Sequence, residues 1–501
     1  MFRVRHICID THTEHVVFLH RDAVEKGGLG LKPLDRVRVE ARDGEGVLHA
    51  EIEGVLNFCH DGLVEPDEVG LSESAFHDLG LPEGAQVTAT LAAPPDSVRR
   101  VREKLAGARL ARADFAAILH DVARHRYSKV ELSMFVLACA LRRLDERELI
   151  DFTRAMIDIG ERLEFRVPRV ADKHCIGGIP GNRTTMIVVP IAASLGVTIP
   201  KTSSRAITSP AGTADTMGVL ADVALGRQRM LEVVERTGGC VAWGGSLDLA
   251  PADDVLITVE RPMNIDTEAQ MIASIISKKK AAGATHALID IPVGPTAKVE
   301  SRHAALSLGA RFQAVAAAVG LELEIVITRA DGPVGAGVGP RLEALDVLSV
   351  LRREPGAPSD LREKSLHLSA RILEMMGAVA PAAGYRTARE VLDSGAALRK
   401  FEEIVAAQGP RELPPPAPYR GEVHARADGL LSAIDCRVVN TLAKLAGAPA
   451  HPSAGLRLLC KPGEVVERGQ PIAELHAQSR AHLEHALASA ESSPALFTIG
   501  Y

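Results

Sequence analysis

Between Asp172 and Asp215 the chain reads DKHCIGGIPGNRTTMIVVPIAASLGVTIPKTSSRAITSPAGTAD. A lysine, a histidine, an arginine, two glycine-rich turns and a dense run of hydroxyls have little to offer an apolar core. They have much to offer an oxyanion, which needs short donors, backbone N–H groups and fixed cations. Lys173 falls at the C-terminal end of a predicted strand, RVADKH, where ligands bind in open α/β sheets. Gly177, Gly178 and Gly181 follow at once, and Thr184 and Thr185 open a predicted helix whose N-terminus favours negative charge. A second strand, VTIPKT, leads into a second cluster of the same chemistry: Ser203, Ser204, Arg205, Thr208, Ser209, Gly212 and Thr213. Taken singly, a Gly-Gly turn is an ordinary connector and a Ser or Thr at a strand end an ordinary cap. The repetition is what points to a phosphate held between two loops. The first loop is not a Walker A loop, because Asn182 stands where the second glycine belongs.

The elements that must position these residues follow from periodicity. Residues 1–95 read as a small β-rich domain of short β-branched runs (HVVFLH, RVRVEA, EIEGVL, AQVTATLA) separated by turn signals. Residues 96–168, with part of 186–260, read as a helical domain in which Ser128–Glu131 and Asp145–Glu148 have the capping-box pattern. Residues 169–413 alternate strands and helices, with Pro190 inside one helical run, ALIDIPVG and LEIVITRA as strands, and a helical stretch from Ala297 to Gly320 between them. This implies a mostly parallel α/β domain. The run PPPAPYR from Pro414 reads as a linker, and 414–501 as a C-terminal α+β domain. The expected fold class is thus multidomain α/β and α+β.

Composition narrows the function. A net charge of −6 and 3% aromatics give no footprint for nucleic acid and few stacking platforms. No run suggests a membrane span or a secretory leader. The seven cysteines are scattered, odd in number and form no C-x-x-C pair, which suits reduced thiols in a cytoplasmic protein. No H-E-x-x-H or ligand-spaced carboxylate cluster is present, so no metal or cofactor is expected for the chemistry.

DKHCIGGIPGN followed by PKTSSRAITSPAGTAD closely resembles the thymidine phosphorylase / AMP phosphorylase family, whose S-x-R-x(7)-T-x-D signature core runs here from Ser203 to Asp215. The N-terminal β domain and the SSRAIT spelling resemble its longer, AMP-phosphorylase type. The resemblance implies a pentosyltransferase that splits the N-glycosidic bond of a nucleoside or nucleoside 5′-monophosphate with inorganic phosphate as co-substrate. It implies phosphate binding by Lys173, Thr185, Ser203 and Thr213, with Cys175 where shorter members carry a serine. It implies substrate binding by Gly178, the run Ser204, Arg205, Ala206, Ile207, Thr208 and Ser209, and by Thr213. A second motif, MNIDTEAQMIASIISKKKAAG, resembles the family's base-binding helix and offers Asp266 as proton donor with Ser274 and Lys278 as binding residues. His174 is the other candidate for catalytic proton donor, Lys298 matches a further binding lysine, and Arg261 falls near a base-gripping arginine. A homodimer or larger homo-oligomer is implied as well. Two other readings stay open: a phosphoribosyltransferase resembling anthranilate phosphoribosyltransferase, which would use phosphoribosyl pyrophosphate with magnesium, and a non-catalytic nucleotide-binding protein.

Overall fold

The computed structural model describes the chain apart from His12, Thr13, Asp61, Ile207, Thr208, Asp248, Asn264, Asp266 and Tyr501, and apart from the side chains of Lys26 and Arg261. It falls into two compact units, Met1–Gly160 with Ala250–Ser274, and Glu161–Leu249 with Ile275–Tyr501.

In the first unit alternating β-branched residues close a barrel. β1 (Phe2–His6), β2 (Val16–His20), β3 (Arg36–Arg42), β4 (Leu48–Cys59), β5 (Glu68–Leu71) and β6 (Gln86–Leu91) pair in the order β1-β5-β2-β4-β3-β6, and β6 returns to β1. The period of two is plain in β3, where Val37, Val39 and Ala41 point into the core while Arg38 and Glu40 between them do not. Strand β5 is too short, at four residues, to have announced itself by alternation. Helices follow. Ser128 accepts from Glu131 N at 3.3 Å and Asp145 accepts from Glu148 N at 2.9 Å, so both expected capping boxes form and start helices Lys129–Leu141 and Glu146–Ile159. Phe152 meets Phe115 and Phe135 at ring separations of 5.2 and 6.0 Å in their core.

In the second unit the strands that carry the glycine- and hydroxyl-rich loops are parallel. β7 (Ala171–Cys175) pairs with β10 (His286–Val293), and β10 with β11 (Glu322–Arg329). β8 (Ile199–Ser203) pairs in parallel with β9 (Gly239–Trp243), and Ala171 N donates to Thr198 O at 2.8 Å where β7 and β8 begin. The helix Thr185–Ser194 carries Pro190 inside it and is buried along almost its whole length. The helical stretch expected from Ala297 begins instead at Arg302, because the Ser301 hydroxyl accepts from Ala304 N and sets the start there. The Pro-rich run is tied down, with Pro414 O accepting from Arg341 Nε at 2.7 Å and Pro415 O from Ser453 Oγ at 2.5 Å. Beyond it, antiparallel strands and the helices Cys436–Leu445 and Arg480–Glu491 enclose a separate apolar cluster.

Candidate active site

Lys173 is 1% exposed and its Nζ donates to Thr184 Oγ1 at 2.8 Å; it sits in the middle of β7, not at the strand end expected from sequence, because the pairing with β10 runs on to Cys175. Thr184 is the N-cap of the helix Thr185–Ser194, yet its hydroxyl serves the lysine rather than the helix. Backbone carbonyls serve the first turn instead, with Met186 N donating to Arg183 O at 3.1 Å and Ile187 N to Thr184 O at 3.0 Å. On the other side of Lys173, Asp172 takes Lys279 Nζ at 2.7 Å and Lys201 Nζ at 3.5 Å. Asp290, level with Cys175 on β10, takes Lys364 Nζ at 3.0 Å and the Thr328 hydroxyl at 2.6 Å. Four lysines thus share two aspartates in a nearly water-free region.

The electrostatics follow. Burial pushes the Lys173 ammonium below its ordinary range, and Lys364 and Arg183 add to this against Cys175 and Asp290. Burial likewise brings Lys201 down to about 7, opposed by Asp172 and aided by Lys279 and Lys173. The half-buried His174 is held well below its usual value, first by burial and then by Lys279, Lys201, Lys173 and Lys278. Burial also pushes on the Asp290 carboxyl, but Lys364 and Lys173 outweigh it and keep it below the usual carboxylate range. With four lysines against two aspartates, burial makes these ammonium groups give up protons more readily, and a bound anion would oppose that.

The second hydroxyl-rich loop is folded onto this place. Asp215, in the first turn of the helix Thr213–Gly218, accepts from Ala206 N at 2.6 Å and Gly212 N at 2.8 Å, which closes the loop. The Arg205 guanidinium lies 4.8 Å from the centre of the Trp243 ring and 3.9 Å from Asp215. Gly212 packs so closely that a Cβ would sit 2.6 Å from Arg205 C and 2.8 Å from Ala206 N. Arg183 joins the two loops: its NH1 donates to Thr213 Oγ1 at 3.2 Å and its NH2 to Ala211 O at 2.5 Å. Its Nε is paired with the buried Glu343, which also accepts from Gly339 N at 3.0 Å and Thr216 Oγ1 at 3.1 Å. Burial raises the Glu343 carboxyl and Arg183 opposes this.

The sequence-selected residues are placed as follows. Lys173, Thr185 and Thr213 are buried at the loop bases, and Ser203 is half-buried at the end of β8. Gly178, at a φ of 87°, backs onto the segment after β10, where a Cβ would lie 2.8 Å from Lys298 N, so the Lys298 segment joins the first loop. Ser204 and Arg205 are exposed, and Ala206 and Ser209 are half-buried, with the Ser209 hydroxyl donating to Ala211 O. Cys175 accepts from Asn182 Nδ2 at 3.2 Å through sulfur. Lys278 is half-buried in the second unit, whereas Ser274 belongs to the first, where it donates to Asp253 at 2.8 Å. Asp266, Ile207 and Thr208 lie outside the described residues, as does the side chain of Arg261. The structure adds Arg183, Asp215, Glu343 and the lysines 201, 279 and 364. Asp215 was visible as the last residue of the signature. Arg183 and Glu343 stand 160 positions apart and carried no joint signal.

Three family models match: the glycosyl transferase family helical bundle domain over residues 99–160, the glycosyl transferase family a/b domain over 167–398, and the pyrimidine nucleoside phosphorylase C-terminal domain over 430–496. A protein of Polaromonas sp. (strain JS666) named "Putative thymidine phosphorylase" is 49% identical over 490 residues, 98% of this chain and 95% of that one. The chain belongs to the thymidine phosphorylase family. A second family member of the same name, from Methylococcus capsulatus, is 49% identical over 486 residues, 97% of this chain and 93% of its own. Among solved structures, anthranilate phosphoribosyltransferase from Thermus thermophilus superposes with a TM-score of 0.51 at 19% identity, covering 62% of this chain and 98% of that one. The enzyme from Saccharomyces cerevisiae, in complex with PRPP and Mg, gives 0.50 at 15% identity, with 62% and 97% covered. These two likenesses concern the fold alone.

Proposed function

We propose that the chain catalyses phosphorolysis of the N-glycosidic bond of a nucleoside or nucleoside 5′-monophosphate. The observation that carries this reading is the buried group of lysines around Lys173, with cations in excess of carboxylates and two donor-rich loops tied over it by Arg183. Inorganic phosphate would complete it, with Lys173, Thr185, Ser203 and Thr213 as its ligands. A phosphate oxygen forms a bond to C1′ of the pentose as the C1′–N bond breaks, and that electron pair leaves on the base. The products are free base and pentose 1-phosphate, or the 1,5-bisphosphate from a nucleotide. The loops supply in-line positioning. The departing base needs a proton or strong donors. His174, held well below its usual value among its lysines, is a poor acid at neutral pH, so the role falls to Asp266, with Lys278 and Ser274 binding the base. The relatives' names support a nucleoside such as thymidine.

A nucleotide substrate requires a second anion site, and Arg205 is the residue for it: it is exposed, steadied on Trp243 and only loosely paired with Asp215. Base release from thymidine, uridine, AMP, CMP and UMP, measured with and without phosphate, tests the proposal. Release must depend on phosphate and persist in chelator. Release that is equal without phosphate refutes phosphorolysis, and a requirement for phosphoribosyl pyrophosphate and magnesium would favour the phosphoribosyltransferase reading. Arg205→Ala is expected to depress kcat/KM for a nucleotide at least about tenfold more than for a nucleoside. Equal losses would remove Arg205 from 5′-phosphate recognition.

A further inference from the structure

The phosphate-binding loops lie in the second unit, and the first carries a side-chain cluster that the proposed reaction does not use. His15 precedes β2, Asp78 lies on the helix Glu73–Leu79 and His125 follows the helix Arg112–Ala123. One donor atom from each lies within 4.8 Å of the other two. His15 is 5% exposed, and its Nδ1 is 3.1 Å from Glu53 O. A carbonyl only accepts, so Nδ1 bears the proton and donates. The other ring nitrogen, Nε2, lies 2.8 Å from Asp78 Oδ2. A cation shared at that place would make Nε2 and Oδ2 co-ligands. An Nδ1–H donated to a backbone carbonyl is also the outer contact that orients a metal-ligating imidazole.

His125 supplies a second imidazole, its ring centroid 4.6 Å from that of His15. Its backbone is left-handed, with a φ of 55°, and its carbonyl accepts from Arg36, which anchors the residue beside the cluster. We propose that His15, Asp78 and His125 bind one divalent transition metal, zinc by preference, with water in the fourth position. Two imidazoles and a carboxylate are a borderline donor set suited to zinc. Bonds of about 2.0–2.1 Å in a tetrahedron would put donor atoms ~3.3 Å apart, inside the range already present. Asp78, with a side chain 55% exposed, has room to adjust. The three ligands come from the barrel and from the helical segment that follows it, so the ion would clamp these parts of the first unit together.

A second cluster, His6, Cys8 and Glu73, lies on the N-terminal part of the same short helix. There Glu73 is divided between His6 at 2.8 Å and His77 at 3.0 Å, and the cluster offers one imidazole where the first offers two.

The test uses the full-length protein stripped with chelator and titrated with Co²⁺. One equivalent is expected to bind with visible d–d bands of a tetrahedral site, without a thiolate charge-transfer band, and to be displaced by Zn²⁺. Asp78→Asn and His125→Asn should each weaken binding at least about tenfold, while Cys8→Ser leaves it unchanged. Asn tolerates the left-handed backbone, so the second variant keeps the fold. Zn²⁺ should raise the midpoint of the first unit's thermal transition in the wild type and not in Asp78→Asn. Absence of a bound equivalent, equal binding by both variants, or a thiolate band lost in Cys8→Ser would each overturn the proposal.

Discussion

Binding of a dianion to the lysine cluster should take up a proton, and its affinity should fall as pH rises above neutrality. Lys201 is the reporter: it is 3% exposed, 3.5 Å from Asp172, and brought down to about 7 by burial and by its fellow lysines. A dianion held ~7 Å from it, in a medium of effective dielectric ~20, would stabilise the ammonium by roughly 4–5 kcal/mol, about 3 units of pKa, and so return it toward its ordinary value of ~10.4. The bound form thus holds the proton more tightly than the free form. Binding is at full strength below pH 7 and weakens by a factor of about 1 + 10^(pH−7) above it, which is roughly tenfold at pH 8 and a hundredfold at pH 9. Sulfate is the probe, because inorganic phosphate itself titrates in this range. Calorimetry at pH 6–9 in buffers of different ionisation enthalpy should show this slope and an uptake of about 0.9 proton at pH 8. Lys201→Met should flatten the profile. Affinity that stays constant from pH 6 to 9 with no proton uptake would refute the reasoning that burial, and not Asp172, governs Lys201.

The same shift acts on stability with the opposite slope. The folded-state value of Lys201 lies below its unfolded value, so the unfolded chain binds the extra proton between about pH 7 and 10.4, and the anion-free protein should gain stability as pH rises through that window, on the order of a few kcal/mol, read by denaturant melts in anion-free buffer. Arg183→Met leaves the buried Glu343 without its cation and unties Thr213 and Ala211. A loss of about 3–5 kcal/mol is expected, partly restored in the double variant with Glu343→Leu. Gly212→Ala forces the loop backbone at Arg205 and Ala206 to move, so KM for phosphate should rise at least about tenfold with the thermal midpoint little changed.

Much of this was legible in the sequence because the information was local. Glycine turns, a strand lysine and helix-opening threonines sit side by side in DKHCIGGIPGNRTT, and capping boxes need only four consecutive residues. The alternating strands of the barrel were visible for the same reason, except β5, which is shorter than a readable period. The charge balance was not legible. Lys364 and Asp290 are 74 positions apart by number, on a helix and a strand that read as ordinary, and only folding brings them to the same place as Lys173. Nor could sequence reveal that Thr184 would turn its hydroxyl to Lys173 instead of capping its own helix.

That diversion explains why the region is built against its own stability. A structural core would pair each buried ammonium with a carboxylate or replace both by apolar groups, since buried ion pairs contribute little net stability. Here Asp172 is shared between two lysines, Asp290 is engaged by Lys364 while also facing Lys173, and Lys173 is left with a neutral hydroxyl as its hydrogen-bond partner. On the proposed reading each feature raises the energy of the anion-free fold and would be relieved by a bound dianion, so that the destabilisation would reappear as affinity. A lysine cluster serving only the fold would lose stability when Lys173 is replaced by Met. A cluster serving an anion should become more stable in anion-free buffer and lose its response to phosphate, and this sign separates the two purposes.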